Sequence, residues 1–240
     1  MTRFSQWYKE IILPAGLLSS VMIGAGIFAL PYVVAQAGLL PGLFHFVVLG
    51  GMVLLLHLMF GEIALRTKEK YRLIGYAYMY LGGWAKAVVT FSTVVGIIGA
   101  LLAYIIIAGD FLYILLGSII PLPAVGFSTI FWIVFSLFIM RGIQAIAKME
   151  LIMVTALFLV IGIIFMFALP HVHIENFRLL NLDFFLMPHG VIMFAFLGLS
   201  AIPEIAALFK TKKGKRSLGH LIIWSSVLCG TLYILFTLFV

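Results

Sequence analysis

The sequence predicts an all-α polytopic membrane protein with about seven spanning helices, and three observations carry that class. The 240 residues are 65% hydrophobic and only 10% charged, with a mean hydropathy of +1.26, where a soluble domain carries about 25% charge. The apolar residues gather into seven long runs, most of them close to the roughly 20 residues that a helix needs to cross a bilayer. The basic residues fall on alternate connectors between those runs, the pattern that orients a membrane protein.

Taken in order, the predicted spans cover residues 11–37, 40–65, 87–116, 125–140, 151–169, 189–209 and 218–240. The connectors are short and punctuated by Gly and Pro, as at Gly38–Gly42 and Pro121–Pro123, which marks turns. With the N-terminus inside, the inner segments hold Arg3 and Lys9, then Arg66, Lys68, Lys70, Arg72 and Lys86, then Arg141 and Lys148, and finally Lys210, Lys212, Lys213, Lys215 and Arg216. Only Arg178 is left outside. The net charge of +7 therefore reads as topology and contact with anionic lipid rather than as a nucleic-acid footprint. The single cysteine, Cys229, excludes an intrachain disulfide. No cleavable signal peptide is evident in the polar first ten residues.

The first run contains Gly24-Ala25-Gly26-Ile27-Phe28-Ala29-Leu30-Pro31, where two glycines and a proline work against a continuous helix. The sixth contains Gly198-Leu199-Ser200-Ala201-Ile202-Pro203-Glu204, again with a glycine five positions before a proline. A shift of 172 residues aligns Gly26, Ala29, Pro31 and Ala35 with Gly198, Ala201, Pro203 and Ala207. The two spans run in opposite directions with five helices per unit, and helix breaks at corresponding places of inverted repeats point to a transporter binding site. Ordinary proline kinks are the alternative. Amides at the start of the second half-helix favour an anion, so Ala25, Gly26 and Ile27 are candidates to hold a carboxylate, with Ile23, Gly24 and Phe28 beside them as candidate substrate-binding residues. Carbonyls of Phe194, Ala195, Phe196, Leu197 and Gly198, with the Ser200 hydroxyl, are candidates to receive an ammonium group. Phe28, Phe194 and Phe196 are placed to meet a side chain.

An acid inside a membrane is costly and is a functional candidate by default. Glu62, Asp110 and Glu204 meet that description and are the candidate coupling residues. For Glu62 an i,i+4 pair with Arg66 is an equal reading, and Asp110 is within reach of the outer surface. His45 and His57 in the second span are expected to hydrogen-bond between helices, with proton relay by His57 as a lesser reading. His171 and His173 make only a weak metal signal. No nucleophile–base arrangement, phosphate loop or zinc motif is present, so an enzyme is not expected and no metal site or cofactor is assigned.

The stretch from Gly24 to Tyr32, followed by Ala35-Gln36-Ala37-Gly38, resembles the first helix of amino acid permeases of the amino acid–polyamine–organocation superfamily. The likeness is to the amino acid/auxin and aromatic amino acid permease branches. Gly61-Glu62-Ile63-Ala64-Leu65-Arg66, Leu81-Gly82-Gly83-Trp84 and the stretch from Phe194 to Glu204 are similar to that group's second helix, inner loop and sixth helix. The resemblance implies a leucine-transporter-type fold of two inverted five-helix repeats with helices one and six broken. It also implies uptake of an amino acid coupled to H+ or Na+, in a plasma or inner membrane. On that plan residues 11–169 form the first repeat and residues 189–240 begin a second, so a fragment is expected. Two departures are plain. The fifth span has no lysine to carry a proton, and there is no eighth span to complete a sodium site.

Overall fold

The computed structural model describes residues 13–24, 26–140, 143–168, 170, 178–209 and 214–240. Among these residues there are ten α-helices and no strands. The helices are α1 (Leu13–Met22), α2 (Gly26–Ala37), α3 (Leu39–Arg66), α4 (Leu73–Leu81), α5 (Gly83–Leu116), α6 (Ala124–Ile139), α7 (Ile143–Ala168), α8 (Met187–Phe196), α9 (Ile202–Leu208) and α10 (Gly214–Phe239). Three stretches, Leu39–Arg66, Gly83–Leu116 and Leu218–Phe239, are long and apolar enough to cross a membrane, and Gly26–Ala37, Ala124–Ile139, Thr155–Ala168 and Met187–Phe196 are shorter apolar helices. The chain is thus an all-helical protein with several membrane-capable helices.

Two details differ from the sequence reading. Residues 73–81 form a helix where a connector was expected. It is too short to span, and it is held because Tyr76 and Ala77 are buried, with the Tyr76 ring edge-on to Phe60 at 5.5 Å. Pro31 lies inside α2 and does not end it. It removes one backbone donor, and the helix runs on to Ala37.

The chain divides into two compact units. Residues 77–160 form one, centred on the pairing of α5 with α6. There Gly109 lets the helices cross closely, since a Cβ at that position would lie 1.8 Å from Ser128 Oγ. Tyr113 and Phe127 stack beside the crossing at 6.3 Å.

Residues 1–76 and 161–240 form the other unit, and all the candidate binding residues belong to it. Its core is built from Leu18 and Met22 of α1, Ile27 and Leu30 of α2, Ile192 of α8, Ile202 and Ile205 of α9, and Leu218 and Ile222 of α10, all at most 2% exposed. A short extended segment fixes how α8 enters this core. The N–H groups of Leu39 and Leu40, donors that the start of α3 cannot satisfy within its own helix, donate to the carbonyls of Arg178 and Leu179 at 2.8 and 3.0 Å. In return Asn181 donates its backbone N–H to Ala37 O and its Nδ2 to Gln36 O. Gly38 sits at this junction with φ 100° and ψ 160°, a region open essentially to glycine alone. A Cβ there would lie 2.8 Å from the Leu179 carbonyl oxygen. Gly38→Ala is therefore expected to cost about 1–3 kcal/mol, read as a lowered thermal unfolding midpoint of the purified protein in detergent. An unchanged midpoint would count against this junction as a determinant of the fold.

Candidate helix-interruption site

The α-helical ladder stops at Met22 and restarts at Gly26. Ile23 N–H still donates to Ser19 O at 2.8 Å, Gly24 N–H turns back to Met22 O at 2.9 Å, and Ile27 N–H reaches Gly24 O at 3.3 Å. Ala25 lies outside the described residues. Farther along, α8 ends at Phe196 and α9 begins at Ile202. Leu197 is extended, at φ −68° and ψ 105°. Gly198 O and Leu199 O then accept from Ala201 N–H and Ile202 N–H at 3.1 and 3.3 Å. Pro203 stands in the first turn of α9, where its missing N–H costs nothing. The non-helical stretch is thus 197–201, and Phe194, Ala195 and Phe196 are the last helical turn rather than unwound.

These two interruptions face each other, glycine to helix end in both directions. A Cβ on Gly26 would meet Ala195 Cα at 3.1 Å and the Phe194 ring at 3.2 Å. A Cβ on Gly198 would meet Met22 Cγ at 2.8 Å, Leu18 at 3.3 Å and His57 Cε1 at 3.5 Å. Each glycine admits the end of the opposite helix because it has no side chain to exclude it.

The close approach brings two C-terminal helix ends together, each carrying carbonyls without intrahelical donors and the negative end of its dipole. The hydroxyl of Tyr233 on α10 lies between them, 2.7 Å from Met22 O and 2.8 Å from Ala195 O. It has a single proton to donate, which the two carbonyls share. Tyr233 is fully buried, and its ring stands edge-on to Phe196 at 5.3 Å. Phe196 is itself wedged between Gly50 of α3 and Gly230 of α10, whose Cβ positions would lie 3.2 and 3.3 Å from its ring. Phe196 is therefore committed to helix packing, which corrects its expected place facing a bound side chain. Phe28, Phe194, Leu197 and Ser200 are exposed, whereas Ile23, Gly26, Ile27, Ala195 and Gly198 are buried.

His57 of α3 completes the second interruption. Its ring is 0% exposed, and Gly198 N–H donates to its Nε2 at 3.3 Å. The three acids lie elsewhere. Glu62 forms an ion pair with Arg66 on the surface of α3, both side chains more than half exposed. Glu204 meets Arg72 at 3.4 Å and is also exposed. Asp110 is exposed on α5, in the other compact unit. Among the described residues no group of His, Cys, Asp or Glu could hold a metal ion, and His171 and His173 lie outside them. Sequence reasoning missed Tyr233 altogether. The available signal was a phenol in the middle of an apolar run, since a buried Tyr hydroxyl needs a partner.

Tyr233→Phe keeps the ring against Phe196 and withdraws the shared proton from both carbonyls. It is expected to cost about 1–2 kcal/mol, the upper part of the range for hydrogen bonds between membrane helices. Thermal unfolding in detergent measures this, and Leu232→Phe serves as the control for aromatic substitution alone.

No curated protein and no solved structure matches the chain. The family model described as transmembrane amino acid transporter protein matches residues 14–240, which takes in both interruptions, Tyr233 and His57. The chain belongs to the transmembrane amino acid transporter family.

Proposed function

We propose that the protein is a secondary active symporter of amino acids. In this reading α1–α2 and α8–α9 are the broken first and sixth spans of two inverted five-helix repeats, with the N-terminus in the cytoplasm of a plasma or inner membrane. The branch is that of the amino acid/auxin and aromatic amino acid permeases. The observation that carries the reading is the reciprocal approach of the two interruptions. In lipid, irregular backbone is tolerated only where protein buries it or a cavity is lined by it, and here two such stretches meet.

The chemistry follows from helix polarity. The N-terminus of α2 offers amides and a positive dipole end to a substrate carboxylate, at Gly26 and Phe28, with Ala25 and Ile23 beside them and with Gly24 and Ile27, whose N–H groups would have to leave Met22 O and Gly24 O. The C-terminal turn of α8 and the stretch from Leu197 to Ser200 offer oxygen acceptors to the ammonium group. Ala195 O is shared with Tyr233, Phe194 O accepts from Leu197 N–H and Gly198 O from Ala201 N–H, so in this reading the ammonium group competes for these carbonyls alongside Leu197 and Ser200. No charged side chain sits among the described residues of the two interruptions. A ligand bound there by backbone dipoles is therefore net neutral, as a zwitterion is. Phe28, Phe194 and Leu197 are exposed and would meet an apolar substrate side chain.

Counterflow of radiolabelled neutral amino acids into liposomes carrying the purified protein tests this. Saturable exchange is expected. Ion conductance without saturable uptake would instead make the interruptions part of a pore, and neither activity would leave them as packing kinks in a structural subunit. Gly26→Val fills the approach to the α2 amides. It is expected to weaken substrate binding at least tenfold, or about 1.4 kcal/mol, with the protein still inserted in the membrane. Wild-type affinity in that variant would remove the carboxylate from this position.

A further inference from the structure

Two buried polar atoms in the interruption-bearing unit have no hydrogen-bond partner among the described residues, His57 Nδ1 and Ser226 Oγ. An orphaned buried donor or acceptor costs about 1–3 kcal/mol, so a pair of them near one site calls for an explanation. Each lies one turn from the place where Gly61 of α3 meets α10. Gly61 faces Ile222 and Leu218, a Cβ there lying 3.0 and 3.4 Å from their side chains. One turn back on α3 is His57, and one turn onward on the antiparallel α10 is Ser226. Both residues are buried, His57 completely and Ser226 to 6%.

The protonation chemistry of His57 is tied to backbone geometry. With Nε2 accepting from Gly198 N–H, the neutral ring carries its proton on Nδ1. A second proton can bind only at Nε2. It would then face the Gly198 N–H, donor against donor, and that hydrogen bond could not persist. Proton binding at His57 and the closed geometry of the second interruption are therefore mutually exclusive. An open groove runs close to the same place. A groove of about 480 Å³ between α3 and α10 is lined by Leu58, Gly61, Glu62, Arg66, Leu218 and Ile222, enough for many waters. Its wall includes Leu58 and Gly61, the next residue and the next turn after His57.

We propose that His57 is the proton-binding residue of the transport cycle, with Ser226 as the acceptor for its Nδ1–H through one water. This rests on the symporter reading and names its coupling ion. Hydronium on one side gives up a proton to Nε2, leaving water and an imidazolium. The imidazolium releases Gly198, and the proton leaves to water in the opposite-facing state, restoring the neutral ring and its bond to Gly198 N–H. Few other titratable groups face the imidazole. Among the described side chains α1 contributes none, and α10 contributes the Cys229 thiol and the Tyr233 phenol to its buried face, His220 being exposed. From α8 and α9 come His189 near the far end of α8 and Glu204, exposed and paired with Arg72. On α3 itself Glu62 and Arg66 pair with each other at the groove, and His45 lies three turns away, its Nδ1 bonded to Pro41 O. Among the described residues, Glu62 is the acid that lines the groove.

The test uses liposomes with an imposed pH step of one unit, following accumulation of a labelled amino acid alongside counterflow without a gradient. For one proton per substrate, wild type is expected to accumulate up to about tenfold, one pKa unit being worth 1.36 kcal/mol. In His57→Gln, accumulation is expected to fall to about onefold while counterflow continues at a reduced rate and loses its pH dependence. Tenfold accumulation by His57→Gln would overturn the proposal and leave the symporter reading standing. Absence of counterflow in wild type would remove both. Should His57→Gln fail to fold, Ser226→Ala decides. A displaced midpoint in the pH profile of uptake is expected, and a wild-type midpoint would overturn the assignment.

Discussion

One buried proton, on the hydroxyl of Tyr233, holds the centre of the interruption-bearing unit together. Helices α1 and α8 end where they would otherwise present carbonyls and like dipole ends to each other. A membrane interior has no water to relieve that. Tyr233 reaches both Met22 O and Ala195 O from α10, which makes α10 the strut on which the two interruptions are mounted. Its position depends in turn on Phe196, whose ring fills the space that Gly50 and Gly230 leave open on either side. The polar brace and the apolar wedge act on the same residue pair, and neither can be placed without the other.

The glycines of this unit are best understood through what approaches them. Gly26 and Gly198 each admit the end of the opposite interrupted helix. Gly61 brings α10 onto α3, and Gly42 takes the Val34 side chain, whose Cγ1 would lie 2.6 Å from an added Cβ. Close backbone approach of this kind is the usual means of association for membrane helices, where lipid removes the hydrophobic drive that assembles soluble cores. It concentrates the backbone of two non-helical stretches in one small volume.

Much of this was legible in the sequence, and the remainder has a common cause. The apolar runs located most helix ends to within a few residues, because length and hydropathy are local properties, while α7 begins at Ile143 rather than 151. The glycine-proline spacing pointed to Gly24–Pro31 and Gly198–Pro203, and one helix gives way to the next between Met22 and Gly26 and between Phe196 and Ile202. What stayed hidden were pairings set by tertiary packing: Tyr233 with two carbonyls, His57 with Gly198, and the segment from Arg178 to Asn181 with the Gly38 turn. A buried phenol signals that a partner exists but not which one, and each partner lies between 38 and 211 residues from the other. Phe196 was misjudged for the same reason, an aromatic beside a helix break being equally suited to a ligand or to a pair of distant glycines. Helix α4 escaped because nine residues fall well short of a span.

The ionisable groups divide by environment in a way that the sequence could not order. Glu62 and Glu204 drew attention as acids in apolar surroundings, but each has an arginine partner and an exposed side chain. Pairs of that kind contribute about 0–1 kcal/mol, and their charges remain in contact with solvent or headgroups through any local rearrangement. A group that is to link a proton to a backbone change must instead lose or gain a specific hydrogen bond when it titrates. Only a donor–acceptor switch at a buried position does that, and imidazole is the side chain that changes from acceptor to donor at one nitrogen. His57 meets the condition because its acceptor nitrogen is spent on the glycine of the second interruption.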